Sequence, residues 1–523
     1  MLIDDWFLTG AERGNPASRF DARRGGTAWS AGNQVRPLIH GAAYFAELAA
    51  RVPALRPGDL LLFTDWRGDP DQRATEAGPR IAELFCAAAS RGVTVRGLVW
   101  RSHLDRFQFS GAENRHLGIE IDAAGGQCLL DMRVRPGGSH HMKLVVLRHA
   151  RRPADDVAFV GGIDLCHSRR DDASHRGDPQ RQPMAAAYGG RPPWHDVQAM
   201  IQGPAVGDVE AVFRERWADP SPPTRNPLAR LRDLLAGVSD EARRLPPQLP
   251  DPPPRGRHAV QLLRTYPYRR PGYPFAPDGE RSIARGYLKV LPRARSLVYL
   301  EDQYLWNAGV VAALARALRD TQELRLIAVI PRFPDQDGRL SLPPNLVGRI
   351  EALDELHRAG GDRVAVYSPE NPSGTPVYVH AKVCVIDDTW AIIGSDNFNR
   401  RSWTHDSELS CAVLDHPGQP GDGQARVGDG SFAHGLRADL AREHLGSGEA
   451  GPMTAAFEAF RRSAAGLDAW HDAGGRGPRP PGRLRRYPRP RLSRWTTTWA
   501  RLPYRLIYDP DGRPPALRRA DRF

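Results

Sequence analysis

His380-Ala-Lys-Val-Cys-Val-Ile-Asp387, followed by Trp390-Ala-Ile-Ile-Gly394-Ser395-Asp396-Asn397, is the stretch of this 523-residue chain on which the reading turns. The short apolar runs on either side of Asp387 read as a strand, a turn and a second strand that ends at a glycine. Residues at i and i+2 of an extended chain point to the same face, so His380 and Lys382 are expected side by side. A glycine after the second strand lets backbone or ligand approach closely. The signature recurs upstream as His141-Met-Lys-Leu-Val-Val-Leu-Arg148, followed by Val157-Ala-Phe-Val-Gly161-Gly162-Ile-Asp164. Of 73 basic residues only three are lysine, and two of these, Lys143 and Lys382, stand two positions after a histidine; the third is Lys289. Lysine is a compact ammonium where arginine is a wide fork. Two His/Lys pairs facing each other across a dyad would form one phosphate-binding site.

The elements around the motifs repeat as well. In the first half, 42–52 reads as an amphipathic helix, 60–64 as a strand, 73–91 as a helix and 93–100 as a strand. In the second, helices are expected over 281–291, 310–318 and 346–359, and strands over 296–301, 324–330 and 364–367. Strands alternating with helices give an α/β fold, and the repetition predicts two pseudo-symmetric α/β/α sandwich domains in one chain. The Pro/Arg-rich stretch 221–257 reads as a linker between domains at 1–220 and 258–475, and 476–523 reads as a basic tail.

That tail carries 14 Arg against three Asp, so it holds +11 of the chain's +12 and leaves the body nearly neutral. Anionic lipid headgroups or nucleic acid phosphates fit such a tail, and so does a solvated extension. Trp495, Trp499, Tyr504 and Tyr508 argue against full disorder. The apolar content is that of a soluble globular protein, and neither a membrane span nor a secretory signal is expected. The five cysteines form no CxxC pair, so neither a disulfide framework nor a zinc site is indicated. A cytoplasmic enzyme is the simplest expectation. His40, His103, His116, His149, His167 and His175 show no ligand spacing, and His140 and His195 merely adjoin site residues. Trp66 and Gln303, at strand ends, are expected either to touch a ligand or to pack.

The second motif, with the pattern HxKxxxxD then GSxN, resembles that of the phospholipase D superfamily in full. The first resembles the eukaryotic-type branch, through His141-x-Lys143 and Phe159-Val-Gly-Gly-Ile-Asp-Leu165. Pro193-Trp-His-Asp196, Gly203-Pro-Ala205, Ser282-Ile283 and Tyr299-Leu-Glu-Asp-Gln-Tyr304 are similar to that branch too, and the likeness runs from about Asn33 to about Gly446. The resemblance implies a phosphodiesterase acting in two steps. His141 attacks phosphorus to form a phosphohistidine, and His380 protonates the leaving alcohol, then activates water or another alcohol. Lys143 and Lys382 hold the non-bridging oxygens, with Asn397, Ser395 and Asp164 around them. Glu408 and Asp196 are the expected carboxylate partners of the histidines, and Asp387 completes the motif. No metal or other cofactor is implied, and no obligate oligomer. The implied partners are a glycerophospholipid, water or an alcohol acceptor and an anionic membrane touched by the tail, with nucleic acid less favoured.

One departure stands out. Arg148 fills the first motif's aspartate position, and six extra residues lengthen that hairpin, from which Asp155 or Asp156 is expected to supply the missing carboxylate. Three readings follow: a phospholipase D that hydrolyses or transfers phosphatidyl groups, a nuclease or other phosphodiesterase, and an inactive binding protein motivated by Arg148. Cardiolipin synthase chemistry is disfavoured, since such enzymes usually carry N-terminal membrane helices.

Overall fold

The computed structural model describes residues 2–102, 111–235, 238, 241–415, 431–446 and 452–523. Its strands, in chain order, are β1 (Ser30–Ile39), β2 (Leu60–Asp65), β3 (Thr94–Trp100), β4 (Gln127–Asp131), β5 (Leu144–Arg148), β6 (Val157–Gly161), β7 (Trp194–His195), β8 (Val197–Gln202), β9 (His258–Tyr266), β10 (Glu280–Arg281), β11 (Leu297–Glu301), β12 (Arg325–Val329), β13 (Val364–Pro369), β14 (Tyr378–Val379), β15 (Val383–Ile386), β16 (Trp390–Gly394), β17 (Glu408–Asp415) and β18 (Leu484–Arg486). One continuous sheet runs β18-β13-β12-β11-β15-β16-β17-β9-β1-β8-β6-β5-β2-β3-β4, with β10 on β9. Outward from the β1/β9 seam the order is the same on both sides. β8, β6, β5, β2, β3 and β4 correspond to β17, β16, β15, β11, β12 and β13, with the same pattern of antiparallel and parallel pairs. The chain is therefore a duplicated α/β fold with a pseudo-twofold at the seam.

The central strands are buried on both faces, so they read as unbroken apolar runs without alternation. Leu61, Phe63, Val145 and Leu147 face one layer of helices in the first half; Leu60, Leu62, Leu144 and Val146 face a core shared by both halves. The helix Ala205–Trp217 follows β8, and its counterpart Ser431–Leu445 follows β17; both contribute to that shared core.

Most expected elements lie within two or three residues of their observed bounds. The 73–91 helix is an exception, since only Ile81–Ser90 is helical. Gly78 and Pro79 hold the preceding residues in a turn, and the Glu83 carboxylate caps the Arg80 amide at 2.7 Å. Within the expected linker, Pro227–Leu235 is helical. The basic tail is a strap and not a free extension. β18 pairs with β13, Arg479 binds Glu370 at 3.0 Å, and buried Asp509 accepts the Arg401 amide at 2.7 Å.

Gly394 ends β16 where the neighbouring strand leaves no room. A Cβ there would lie 1.8 Å from Ser410 Oγ and 2.9 Å from Ser410 Cα. Gly394→Ala is expected to destabilise the fold by about 1–3 kcal/mol, seen as a lowered urea midpoint at unchanged m-value.

Candidate active site

His380 and Lys382 immediately precede β15, and His141 and Lys143 immediately precede β5. All four are in extended approaches to the strands and not in the strands themselves. Each lysine turns back toward its own motif. Lys143 Nζ donates to the His141 carbonyl at 2.8 Å, and Lys382 Nζ donates to that of His380.

What joins the halves is a crossed pairing. His141, from the first half, bonds through Nδ1 to Glu408 Oε2 of the second at 2.8 Å. His380, from the second, bonds through Nδ1 to Asp196 Oδ2 of the first at 2.7 Å. Asp196 precedes β8 and Glu408 opens β17, so the two carboxylates are dyad mates. Short parallel bridges carry the crossing. The His141 amide donates to the Ser407 carbonyl at 2.9 Å, and the His380 amide to that of His195 at 2.7 Å, beside the β7–β14 pair. Sequence order suggests that each carboxylate serves its own motif; the structure exchanges them. With Nδ1 committed to a carboxylate, each imidazole has Nε2 free for chemistry.

The remaining residues surround this pair. Ser395 Oγ donates to Glu408 Oε2 at 2.5 Å and accepts the Leu409 amide at 3.0 Å. Asp164 lies 3.3 Å from Lys143 Nζ. Asn397 holds the matching position of the second motif, and its buried Oδ1 has no hydrogen-bond partner. Gln303 Oε1 accepts from Lys382 Nζ at 3.2 Å, while Trp66 stacks on Trp100 and turns its ring toward His141, 6.5 Å between centroids. Gln303 thus touches the site, and Trp66 both packs and borders it.

Asp387 is not brought into the site. It lies at the far end of β15 with a φ of 51°, accepting the amides of Arg295, Ser296 and Leu297 at 2.7–2.9 Å. There it ties the hairpin to the start of β11. In the first half Arg148 is fully buried, with Asp156 at 2.7 Å and Glu210 as its partners. The tie is made from the other side: Asp59, just before β2, accepts the Ala150 amide of the hairpin at 2.9 Å. Asp156 of the long hairpin neutralises Arg148, so the altered motif changes the scaffold and leaves His141 and Lys143 in position.

Sequence reasoning missed Arg169. It is buried, 3.5 Å from Asp164, with its guanidinium 3.8 Å over the Trp194 ring. No spacing rule marks it. Burial, Lys382 and Arg169 together push the His380 imidazole well below its ordinary pKa, and Lys143 of the other half adds to this. Burial, with Lys143 contributing, pulls the Lys382 ammonium down to about 8. Charges from both halves therefore act on one space. Asp65 and Asp164 face each other. Burial and the Asp164 charge raise Asp65 well above the carboxylate range, while against burial Lys143 and Arg169 hold Asp164 low.

The family model described as Phospholipase D matches residues 123–234, and that described as Cardiolipin synthase, PLD-like domain, matches residues 287–419, one on each half. The chain belongs to the phospholipase D superfamily. It is 25% identical over 501 residues to Phospholipase D alpha 1 of Cynara cardunculus, covering 72% of this chain and 60% of that one. It is also 25% identical over 488 residues to Phospholipase D alpha 1 of Arabidopsis thaliana, covering 70% and 58%. The chain thus spans about three-fifths of the length of these relatives. Among solved structures, phosphatidylserine synthase of Haemophilus influenzae superposes with a TM-score of 0.49 at 12% identity, covering 78% of this chain and 93% of that one. No helix among the described residues is long and apolar enough to cross a membrane.

The geometry separates Asp387 from the ligand-facing groups. Asp387→Asn is expected to lower stability by about 1–3 kcal/mol while leaving the affinity for inorganic phosphate unchanged. Lys382→Met is expected to abolish that affinity. Urea denaturation and calorimetric phosphate titration read the two effects.

Proposed function

We propose that this chain is a phospholipase D-type phosphodiesterase that cleaves glycerophospholipids through a phosphohistidine. The observation that carries the reading is the crossed pairing of the two imidazoles with carboxylates of the opposite halves, each imidazole with a buried lysine two residues on. In this reading a phosphodiester sits with its non-bridging oxygens on Lys143 and Lys382, and Asn397 adds a hydrogen bond. His141, the more open imidazole at 16% side-chain exposure against 6% for His380, attacks phosphorus through Nε2 while Glu408 holds its Nδ1 proton. The bound diester brings a negative charge beside His380. That charge offsets the lysines and the arginine that keep His380 neutral in the free protein, so it gains the proton it gives to the leaving alcohol. Asp196 stabilises the imidazolium. His380 then takes a proton from water, or from an alcohol acceptor, which attacks the phosphohistidine and frees His141.

The lipid substrate is supported by the extent of the likeness to the plant enzymes and by the strap. Tyr504 packs on Trp306 at 5.9 Å, and Trp306 stands against Tyr304, one residue beyond Gln303. Trp495, Leu502, Leu506 and Ile507 on that strap are exposed, among the exposed Arg494 and Arg505. Apolar residues framed by arginines fit the interface of an anionic bilayer.

Turnover of phosphatidylcholine by the protein as isolated, with and without ethanol, tests the substrate. Choline release, and phosphatidylethanol when ethanol is present, are expected. Plasmid nicking with no lipid turnover overturns the lipid assignment, and no turnover of either, with His380→Ala indistinguishable from wild type, marks a binding protein. His141→Ala and His380→Ala are each expected to lower kcat by at least about 10³-fold. Acid-quenched peptide mapping should find the phosphoryl group on His141; finding it on His380 reverses the two roles.

The Lys382 ammonium is present below its pKa of about 8 and lost above it. A plot of kcat/KM against pH should therefore fall as pH rises through about 8, and Lys382→Arg, whatever its residual rate, should lack that limb.

A further inference from the structure

Behind the carboxylate that holds His380 lies a second cluster, which the chemistry above does not use. His40 ends the loop after β1, His175 lies in the loop between β6 and β7, and His195 closes β7. All three are buried, at 4%, 1% and 0% exposure. They converge on Glu443, which comes from the helix Ser431–Leu445 of the other half. His40 Nε2 is 2.7 Å from Glu443 Oε2, and His175 Nε2 and His195 Nδ1 are 2.8 and 3.2 Å from Oε1. One donor atom from each of the four residues lies within 4.8 Å of every other. Sequence spacing hid this set, because the four residues come from four separate segments; His103 lies outside the described residues.

From this arrangement we infer a zinc site that staples the two halves, with His40, His175, His195 and Glu443 as ligands. Three imidazoles and one carboxylate are a donor set suited to Zn²⁺, and four protein ligands, three of them buried and Glu443 at 8% side-chain exposure, match the coordination number of a closed tetrahedral site. Hydrogen bonding alone leaves the cluster incomplete. His195 Nδ1 is near Glu443, yet it is buried with no hydrogen-bond partner. The outer shell is in place as well. His195 Nε2 bonds to Glu301 Oε2 at 2.6 Å, and Glu301 also accepts from Tyr299 and His444 at 2.5 and 2.8 Å. Such a carboxylate fixes the tautomer that leaves Nδ1 free for a metal. A divalent ion also adds positive charge beside Glu443 and the fully buried Glu301; among the described residues the arginine paired with Glu443 is Arg483, at 3.9 Å. His40 and His175 both have positive φ, 69° and 51°, a backbone state that non-glycine residues rarely adopt.

The ion's role is positional. The His195 carbonyl accepts the amides of His380 and Ala381, and the His40 amide donates to the carbonyl of Asp196 at 2.8 Å. Fixing His40 and His195 thus fixes Asp196, and Asp196 fixes His380.

Elemental analysis of the full chain after desalting tests this without any substrate. About one zinc per chain is expected, and Co²⁺ exchanged into it should give the intense visible absorption of a tetrahedral site. Glu443→Ala and His175→Ala should each drop the retained zinc at least about tenfold and lower the melting temperature. Wild type stripped of metal should regain its melting temperature on adding Zn²⁺. Should the variants fail to fold, the wild-type stoichiometry and the Co²⁺ spectrum decide alone. Protein that retains no zinc after incubation with Zn²⁺ and melts unchanged overturns the inference and leaves a hydrogen-bonded histidine cluster. Zinc retained equally by wild type and both variants overturns it too.

Discussion

Everything at the centre of this molecule depends on one exchange: each motif imidazole is held by a carboxylate from the opposite half. A histidine whose Nδ1 is bonded to a buried acid has a fixed tautomer and a fixed ring plane. Here neither half can supply both members. The short backbone bridges at 139–141 to Ser407 and at 193–195 to 378–380 keep the exchange in register. The continuous sheet through the β1/β9 seam keeps the halves from sliding past one another. The duplication is therefore required by the site.

Within this symmetry the two halves have diverged, and the divergence has an electrostatic direction. Lys143 pairs with a carboxylate, Asp164, at 3.3 Å, whereas Lys382 donates to the amide oxygen of Gln303 at 3.2 Å. Burial, Lys382 and Arg169 together hold the His380 imidazole well below its ordinary pKa. The far ends of the motif hairpins have diverged independently. Asp387 ties its hairpin to the sheet as an acceptor of three amides, while around Arg148 that duty passes to Asp59 and the lost carboxylate is returned by Asp156 as a counter-ion. A substitution that breaks a motif in sequence is absorbed by the packing around it.

The strap formed by the last residues shows why net charge alone is a poor guide. Its arginines give the chain its basic character, yet Arg479, Arg485 and Arg513 are engaged by Glu370, Asp468 and Asp511. What remains outward is a row of apolar side chains among the other arginines, close to the segment that holds Gln303.

By itself the sequence determined the α/β class, the duplication, the strand–turn–strand units and the pairing of each histidine with a lysine two residues on. These are local properties: periodicity, apolar runs and i, i+2 spacing survive in a linear reading. Glu408 and Asp196 were legible as candidate acids, because they follow their motifs at matching positions. Which histidine each serves was not, since that depends on how the two halves of the sheet meet at β1 and β9. Arg169, Asp59 and the three histidines around Glu443 were equally hidden. Each acts across more than 90 residues or between strands distant in order, and only the folded chain brings charge, burial and geometry to one point.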